Sequence, residues 1–257
     1  MRFKSLGSGS SGNATLVEAG SGAHLKRLLI DCGLKPKLLL ERLVHAGLAA
    51  GQIDAIFITH EHSDHLGHAQ QWALRHRTPV WMSRGTHLAA GEGDFDGLLQ
   101  VAQDGIPIDL GEFQVTPFTV PHDAREPLQL SCSDGNRKLG VLTDLGHATA
   151  HVLTHLEGCH ALLLECNHDA QMLAAGAYPA FLKQRVGGRF GHLSNVDAAQ
   201  IAKSLHHAGL NQVIAAHLSR QNNRPDLARV ALALALGRMV SDIAVATQDE
   251  GCEWIQV

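Results

Sequence analysis

The stretch Ile53-Asp54-Ala55-Ile56-Phe57-Ile58-Thr59 runs directly into His60-Glu61-His62-Ser63-Asp64-His65. Its first half is a short, nearly unbroken apolar run, the pattern of a strand buried on both faces. Its second half places three imidazoles and a carboxylate within six residues. His60 and His62, one residue apart, can converge on one cation. Asp64 and His65, at the start of a following helix, can face a second. Imidazole together with carboxylate suits Zn²⁺ first, with Mn²⁺ or Fe²⁺ as alternatives. A solvated histidine-rich loop is the competing explanation, but such tracts seldom follow a buried strand so closely.

The same design recurs downstream. KLGVLT (138–143) precedes Asp144, ALLLEC (161–166) precedes Asn167, and QVIAA (212–216) precedes His217. Helical periodicity predicts helices over 35–46, 64–77, 147–157, 179–187, 194–209 and 225–238. Pro225 suits a first helical position, and Ser194 with Asp197 reads as a capping box. Strands alternating with helices predict α/β layers, with four strands ending in polar groups at one edge, where α/β enzymes keep their chemistry.

Composition narrows the class. At 257 residues, 45% hydrophobic and 18% charged, the chain is an ordinary globular sequence, and 4% aromatics leaves its core to aliphatic residues. A net charge of −4 excludes a globally basic nucleic-acid binder. The five cysteines include no C-x-x-C pair and read as reduced, buried residues of a cytoplasmic protein. The N-terminal residues lack the apolar core of a secretory signal, and no run is long enough for a membrane span. Residues 5–13, SLGSGSSGN, have the composition of a tag spacer; lying between strand-like segments, they are read as an integral tight loop. Eighteen histidines invite a metal reading, which only their placement decides.

His60-x-His62-x-Asp64-His65 after a strand resembles the H-x-H-x-D-H signature of the metallo-β-lactamase superfamily, and the resemblance continues in order along the chain. It implies an α/β fold: an αββα sandwich of two mixed β-sheets flanked by helices, formed by residues 1–257 as a single domain. It also implies a ligand set. His122, in Pro121-His122-Asp123-Ala124, would complete the first metal site with His60 and His62. His217, in Ala216-His217-Leu218-Ser219, would join Asp64 and His65 at the second, and Asp144 would bridge the two ions. Taken singly, His122 reads as a surface residue and Asp144 as a turn residue; their order and strand-end placement decide otherwise. The phrases SGSSGN (8–13), LLIDCG (28–33), ECNHD (165–169), YPAFLKQRVGGRFGHLSN (178–195) and HLSRQNNRP (217–225) resemble the YycJ/WalJ branch. That branch implies a nuclease, specifically a 5′-to-3′ exonuclease on duplex DNA. One departure is His68, where many superfamily members carry a second glycine; it bears on how the next helix packs.

For the chemistry, Asp64 is expected both to ligate and to orient the nucleophile, and His192 is the candidate general acid. A helix-entry residue bonded to backbone is the alternative for His192. His168 reads as support for a ligand, and Asp31 as a residue that orients a ligand histidine. Between Ala170 and Pro225 the single acid Asp197 faces Lys183, Arg185, Arg189, Lys203, Arg220 and Arg224, leaving that segment at +5 and the remainder at −9. This asymmetry suits an anionic substrate, nucleic acid or another phosphodiester. Ser194, Asn195, Ser219, Asn222 and Asn223 are the expected contacts to phosphate or sugar. With only Tyr178, Phe181 and Phe190 available nearby, sequence-specific base reading is not expected. Three alternatives stay open: a small cyclic-phosphate phosphodiesterase similar to the PhnP enzymes, a thioester, lactone or β-lactam hydrolase, and a non-enzymatic binding module. The cationic segment disfavours the second, and the intact ligand set disfavours the third.

Overall fold

In a computed structural model describing residues 1–257, the apolar runs line up into two mixed seven-stranded sheets. The first contains β1 (Arg2–Gly7), β2 (Ala14–Ala19), β3 (Lys26–Ile30), β4 (Ala55–Phe57), β5 (Val80–Met82) and β6 (Leu99–Val101). The second contains β7 (Ile108–Asp109), β8 (Gln114–Thr119), β9 (Leu128–Ser133), β10 (Lys138–Leu142), β11 (Ala161–Glu165), β12 (Gln212–Ala216) and β13 (Ala244–Val245). The last strand, β14 (Ile255–Gln256), returns to pair with β1, giving orders β14-β1-β2-β3-β4-β5-β6 and β13-β12-β11-β10-β9-β8-β7. Strands β3 to β6 are parallel, as are β10 to β13, while β1–β3 and β7–β10 pair antiparallel.

Three apolar layers hold the sandwich together. The middle one lies between the sheets, where Phe3, Leu28 and Phe57 from the first meet Leu130, Leu163 and Ile214 from the second. Neither sheet can bury this face alone. Outside the first sheet pack α1 (Pro36–His45) and α3 (Ala69–His76), through Leu39, Leu43, Trp72 and Ala73. The second sheet is covered by α5 (Ala150–Leu156), α8 (Asn195–Ser204) and α9 (Pro225–Leu236), through Val152, Leu156, Ile201 and Leu232. The remaining short helices are α2 (Ser63–Leu66), α4 (Arg84–Ala89), α6 (Ala170–Ala175) and α7 (Ala180–Val186). The expected αββα architecture is therefore present. No helix is long and apolar enough to cross a membrane.

Local departures have local causes. The single helix expected over 64–77 is two, α2 and α3, broken at Gly67 (φ 44°, ψ −111°). There the chain passes so close to another segment that a Cβ on residue 67 would lie 2.3 Å from the Cys32 carbonyl oxygen. His68 follows as the residue leading into α3, with its N–H donated to that same carbonyl at 3.2 Å. The glycine-serine stretch after β1 is integral: Asn13 N donates to Asp64 O at 2.7 Å and Ser8 Oγ accepts from His217 N at 2.8 Å.

Candidate metal centre

The C-terminal ends of β4, β10, β11 and β12 deliver their side chains to one place between the sheets. From β4 the chain passes Thr59 to His60 and His62. From β10 it reaches Asp144, from β11 Glu165, and from β12 His217. His122 follows β8, and α2 supplies Asp64 and His65. Asp31, Asp144 and His217 each hold a left-handed backbone conformation (φ 61°, 57° and 53°). Non-glycine residues rarely adopt it, and such strain is typically kept where side-chain aim matters.

The ligand atoms form two neighbouring groups. His60 Nε2 and His62 Nδ1 lie 3.0 Å apart, and His122 Nε2 is 3.4 Å from the same His62 Nδ1. In tetrahedral coordination with ~2.0–2.1 Å bonds, ligand nitrogens are separated by roughly 3.4 Å, so this triad has the spacing of one ion's ligands. In the second group, Asp64 Oδ2 lies 3.6 Å from His65 Nε2 and 3.7 Å from His217 Nε2. Asp144 Oδ2 is 3.0 Å from His65 Nε2, and Asp144 joins His60 and His65 in a third grouping, within 4.8 Å, that links the two. Buried Asp144 Oδ2 and His217 Nε2 have no hydrogen-bond partner. Each keeps only an ion pair, Asp144 Oδ2 with His65 Nε2 and His217 Nε2 with Asp64 Oδ2, so hydrogen-bonding capacity is left over in a buried place, which a cation would satisfy.

The opposite ring nitrogens of four of the five histidines are held by hydrogen bonds, His62 being the exception. His65 Nδ1 meets Asp31 Oδ2 at 2.7 Å, His60 Nδ1 meets Thr59 Oγ1 at 3.0 Å, and His122 Nδ1 meets the Gly191 carbonyl at 3.1 Å. Glu165 Oε1 takes His217 Nδ1 at 3.0 Å and His192 Nδ1 at 2.8 Å. Such partners fix ring orientation and leave the other nitrogen's lone pair for an ion. Asp31 thus sits where the sequence led one to expect a support residue. Glu165 is the functional group that sequence reasoning missed. Its signal was there: a carboxylate ending the wholly buried strand ALLLE.

The electrostatics follow from this crowding. Burial, then the neighbouring imidazoles, hold His60 well below the usual histidine range, and burial lowers His122 too. Burial also works against a charged His217, but Asp144, Asp64 and Glu165 outweigh it and lift that imidazole to about 10. His65 is likewise raised, by Asp144 and Asp31 against burial. Burial opposes ionising Glu165, yet His192 and His217 hold it at about 2. Asp144 is held well below the carboxylate range by His217 and His65.

His62, Asp64, Asp144, His192 and His217 line a cavity of about 390 Å³, together with Ser10, Ser63, Asp123, Tyr178 and Arg185. None of the five expected substrate contacts is brought to its lining. Asn195 and Asn223 are buried against each other by reciprocal amide bonds of 2.8 and 2.9 Å, and Asn222 Nδ2 donates to Ser219 Oγ at 3.3 Å. Ser194 caps α8 with Asp197, whose carboxylate repels an anion from that helix end. Much of the positive segment is also neutralised at home: Arg185 pairs with Asp123 at 2.6 Å, Arg220 with Asp249, and Arg224 with Asp226 at 3.4 Å. The His168 imidazole makes no hydrogen bond to a ligand; its carbonyl accepts from Asn195 N at 2.9 Å, and it bridges to Ser194.

A two-sheet sandwich with this cluster at its strand ends is the architecture of a metallo-β-lactamase-fold, metal-dependent hydrolase. Residues 26–218 match the family model described as a β-lactamase superfamily domain, and the chain belongs to that superfamily. Within it the chain is YycJ/WalJ-like. The exodeoxyribonuclease YycJ of Bacillus anthracis is 32% identical over 248 residues, spanning 92% of this chain and 89% of that one. The exodeoxyribonuclease WalJ of Streptococcus pneumoniae D39 is 30% identical over 236 residues, spanning 90% and 86%. Among solved structures, the metallo-β-lactamase fold protein YhfI from Bacillus subtilis superposes with a TM-score of 0.74 over 99% of this chain and 98% of its own; at 17% identity that likeness is one of fold.

Proposed function

We propose that this protein is a DNA exonuclease that cleaves phosphodiester bonds with two divalent ions, Zn²⁺ first and Mn²⁺ or Fe²⁺ as alternatives, digesting duplex DNA from 5′ to 3′. The observation that carries the metal reading is the pair of buried, unpartnered ligand atoms, Asp144 Oδ2 and His217 Nε2, among convergent imidazoles. His60, His62 and His122 would hold one ion, Asp64, His65 and His217 the other, with Asp144 shared. When bound, the ions supply Lewis-acid stabilisation of the scissile phosphate and activation of water. DNA as substrate rests on the relatives named exodeoxyribonucleases, and the polarity rests on resemblance to their branch.

The chain's own groups do the rest. Asp64 sits at the cavity wall, where its carboxylate orients the attacking nucleophile. His192 reaches the same cavity with Nδ1 fixed on Glu165, which leaves Nε2 to donate a proton to the departing alkoxide. Burial works against its charge, but Glu165 and Asp144 outweigh it and raise its pKa above the usual histidine value, the direction a proton donor needs. Ser10, Ser63 and Tyr178 offer hydroxyls, and Arg185 a guanidinium, to the phosphate oxygens. The five free thiols, four of them buried, fit the reducing cytoplasm.

A second reading, a small-molecule phosphodiesterase, is favoured by the limited cavity and by the ion pairs that neutralise much of the basic segment. Metal-loaded protein offered linear duplex DNA, single-stranded RNA and bis-p-nitrophenyl phosphate separates the two. Progressive loss of duplex DNA from its 5′ ends is expected. Cleavage of the small diester alone overturns the nuclease reading.

A further inference from the structure

The chain has seven phenylalanines and one tyrosine. Phe3, Phe57, Phe95, Phe113 and Phe118 are all buried, at 6% exposure or less. The two that are not, Phe181 (72% exposed) and Phe190 (58%), fall nine residues apart on the segment that walls the candidate metal centre. Tyr178, the sole tyrosine, lines that cavity with Leu182, Arg185 and Val186.

Helix geometry places these rings. On α7, Phe181 precedes Arg185 by four residues, so the two are neighbours one turn apart on the helix surface. Phe190 follows the turn after α7. Its carbonyl accepts from Asp123 N at 2.9 Å, beside His122, and a Cβ on Gly146 would lie 2.6 Å from its backbone nitrogen, two residues from Asp144. Each exposed phenylalanine is thus the immediate chain neighbour of a cavity-lining residue, Phe181 of Leu182 and Phe190 of Gly191.

We propose that Phe181 and Phe190 form a stacking surface for the bases of the terminal nucleotides of a DNA strand, holding the strand end while its terminal phosphodiester enters the cavity. The proposal rests on the nuclease reading and adds what selects a polymer end over a small diester. The occupant follows from the surroundings: Lys183 and Arg189, neither of them ion-paired, lie between the two phenylalanines in sequence, with Arg185 held by Asp123, and aromatic faces interleaved with cations beside a cavity are the pattern of single-strand binding. Every base has a π-face, so the grip carries no sequence preference. Because the strand end must lie single-stranded across the rings, it also separates the last base pair.

The test uses metal-loaded protein and a duplex with 2-aminopurine at its 5′ terminus and phosphorothioate terminal linkages to slow cleavage. Binding should quench 2-aminopurine fluorescence in the wild type. The Phe181→Ala/Phe190→Ala double variant should lose that quenching, and Phe181→Trp/Phe190→Trp should keep it. On ordinary DNA the double variant's kcat/KM, taken as a ratio to that for bis-p-nitrophenyl phosphate, should fall at least about 10-fold, chiefly through KM. Both residues are exposed, so the variant should melt with the wild type. Absence of quenching in the wild type, or equal quenching in the alanine variant, overturns the stacking surface even if DNA is degraded normally. Quenching that depends on both rings in a protein that degrades no DNA leaves the surface standing and sinks the nuclease reading instead.

Discussion

Glu165→Gln is the sharpest perturbation of this centre, because the native carboxylate accepts from four donors and is wholly buried. Oε1 takes His192 Nδ1 at 2.8 Å and His217 Nδ1 at 3.0 Å, and Oε2 takes the backbone N–H groups of Leu145 and Leu193, each at 3.1 Å. A glutamine has one accepting oxygen and one donating amide group, so it can satisfy only one side. If its NH₂ faces the backbone, two buried N–H groups lose their acceptor, at ~1–3 kcal/mol each, or roughly 2–6 kcal/mol in all. For a chain of this size that lowers Tm by roughly 5–20 °C. If its NH₂ faces the rings instead, both imidazoles must move their protons to Nε2. His217 then loses the lone pair it aims at the metal group, and loss of such a supporting partner costs about 10–100-fold in metal affinity. Differential scanning calorimetry of the chelated protein reads the first cost, and zinc titration against a competing chelator reads the second. A variant that matches the wild type in both Tm and zinc affinity refutes the assignment of Glu165 as the residue that fixes His217 and His192.

Three further outcomes follow from the geometry. Gly33→Ala would place a methyl carbon 1.7 Å from the Asp64 carbonyl oxygen, so the segment bearing Asp64 and His65 must shift; soluble variant protein should bind zinc at least about 10-fold more weakly, and unchanged binding would show that the contact relaxes harmlessly. His192→Ala should retain bound metal, measured by elemental analysis, while phosphodiester cleavage falls about 10²–10⁴-fold; full activity removes His192 as the proton donor. The metal-stripped protein should lose stability as pH rises. The folded-state pKa of His217, about 10, lies above its usual 6.5, so its contribution is complete below about 6.5 and gone once pH passes 10. The metal-loaded protein, in which a cation replaces that proton, should show no such decline in thermal melts between pH 7 and 10.

The histidine cluster, the strand-end design and the two-sheet sandwich were legible because each is a local pattern: an apolar run, then a ligand. His122, Asp144 and His217 were reachable only because family resemblance supplied the pairing across distant segments. What stayed hidden depends on contacts the chain order does not display. Glu165 looked like the end of a strand, and only its four donors, from three other segments, show what it does. The polar residues after His217 and at the start of α8 invited a substrate role because hydrogen-bonding side chains near a ligand are ambiguous in sequence. In the fold, Asn195 and Asn223 spend that capacity on each other. Part of the positive segment's charge is likewise spent on partners that sequence does not show: Asp123 and Asp249 lie outside it and were counted with the acidic remainder. The break at Gly67 reflects a close approach to Cys32 that helical periodicity cannot see.

The centre also accounts for a cost the fold carries. Three residues keep left-handed backbones, two buried ligand atoms lack hydrogen bonds, and the imidazoles of His60 and His122 crowd to 3.0 and 3.4 Å from that of His62. Each is unfavourable in isolation, and all point toward the same space. The sheets that impose these positions are closed by the apolar core between them, which contains no ligand. Packing therefore assembles the ligands whether or not they repel, and a cation relieves the repulsion afterwards. That order of causes makes the cluster a preorganised receptor rather than a fold nucleus. It also explains why its supporting carboxylates, Asp31 and Glu165, lie at the ends of the sheet strands β3 and β11, which the core already holds rigid.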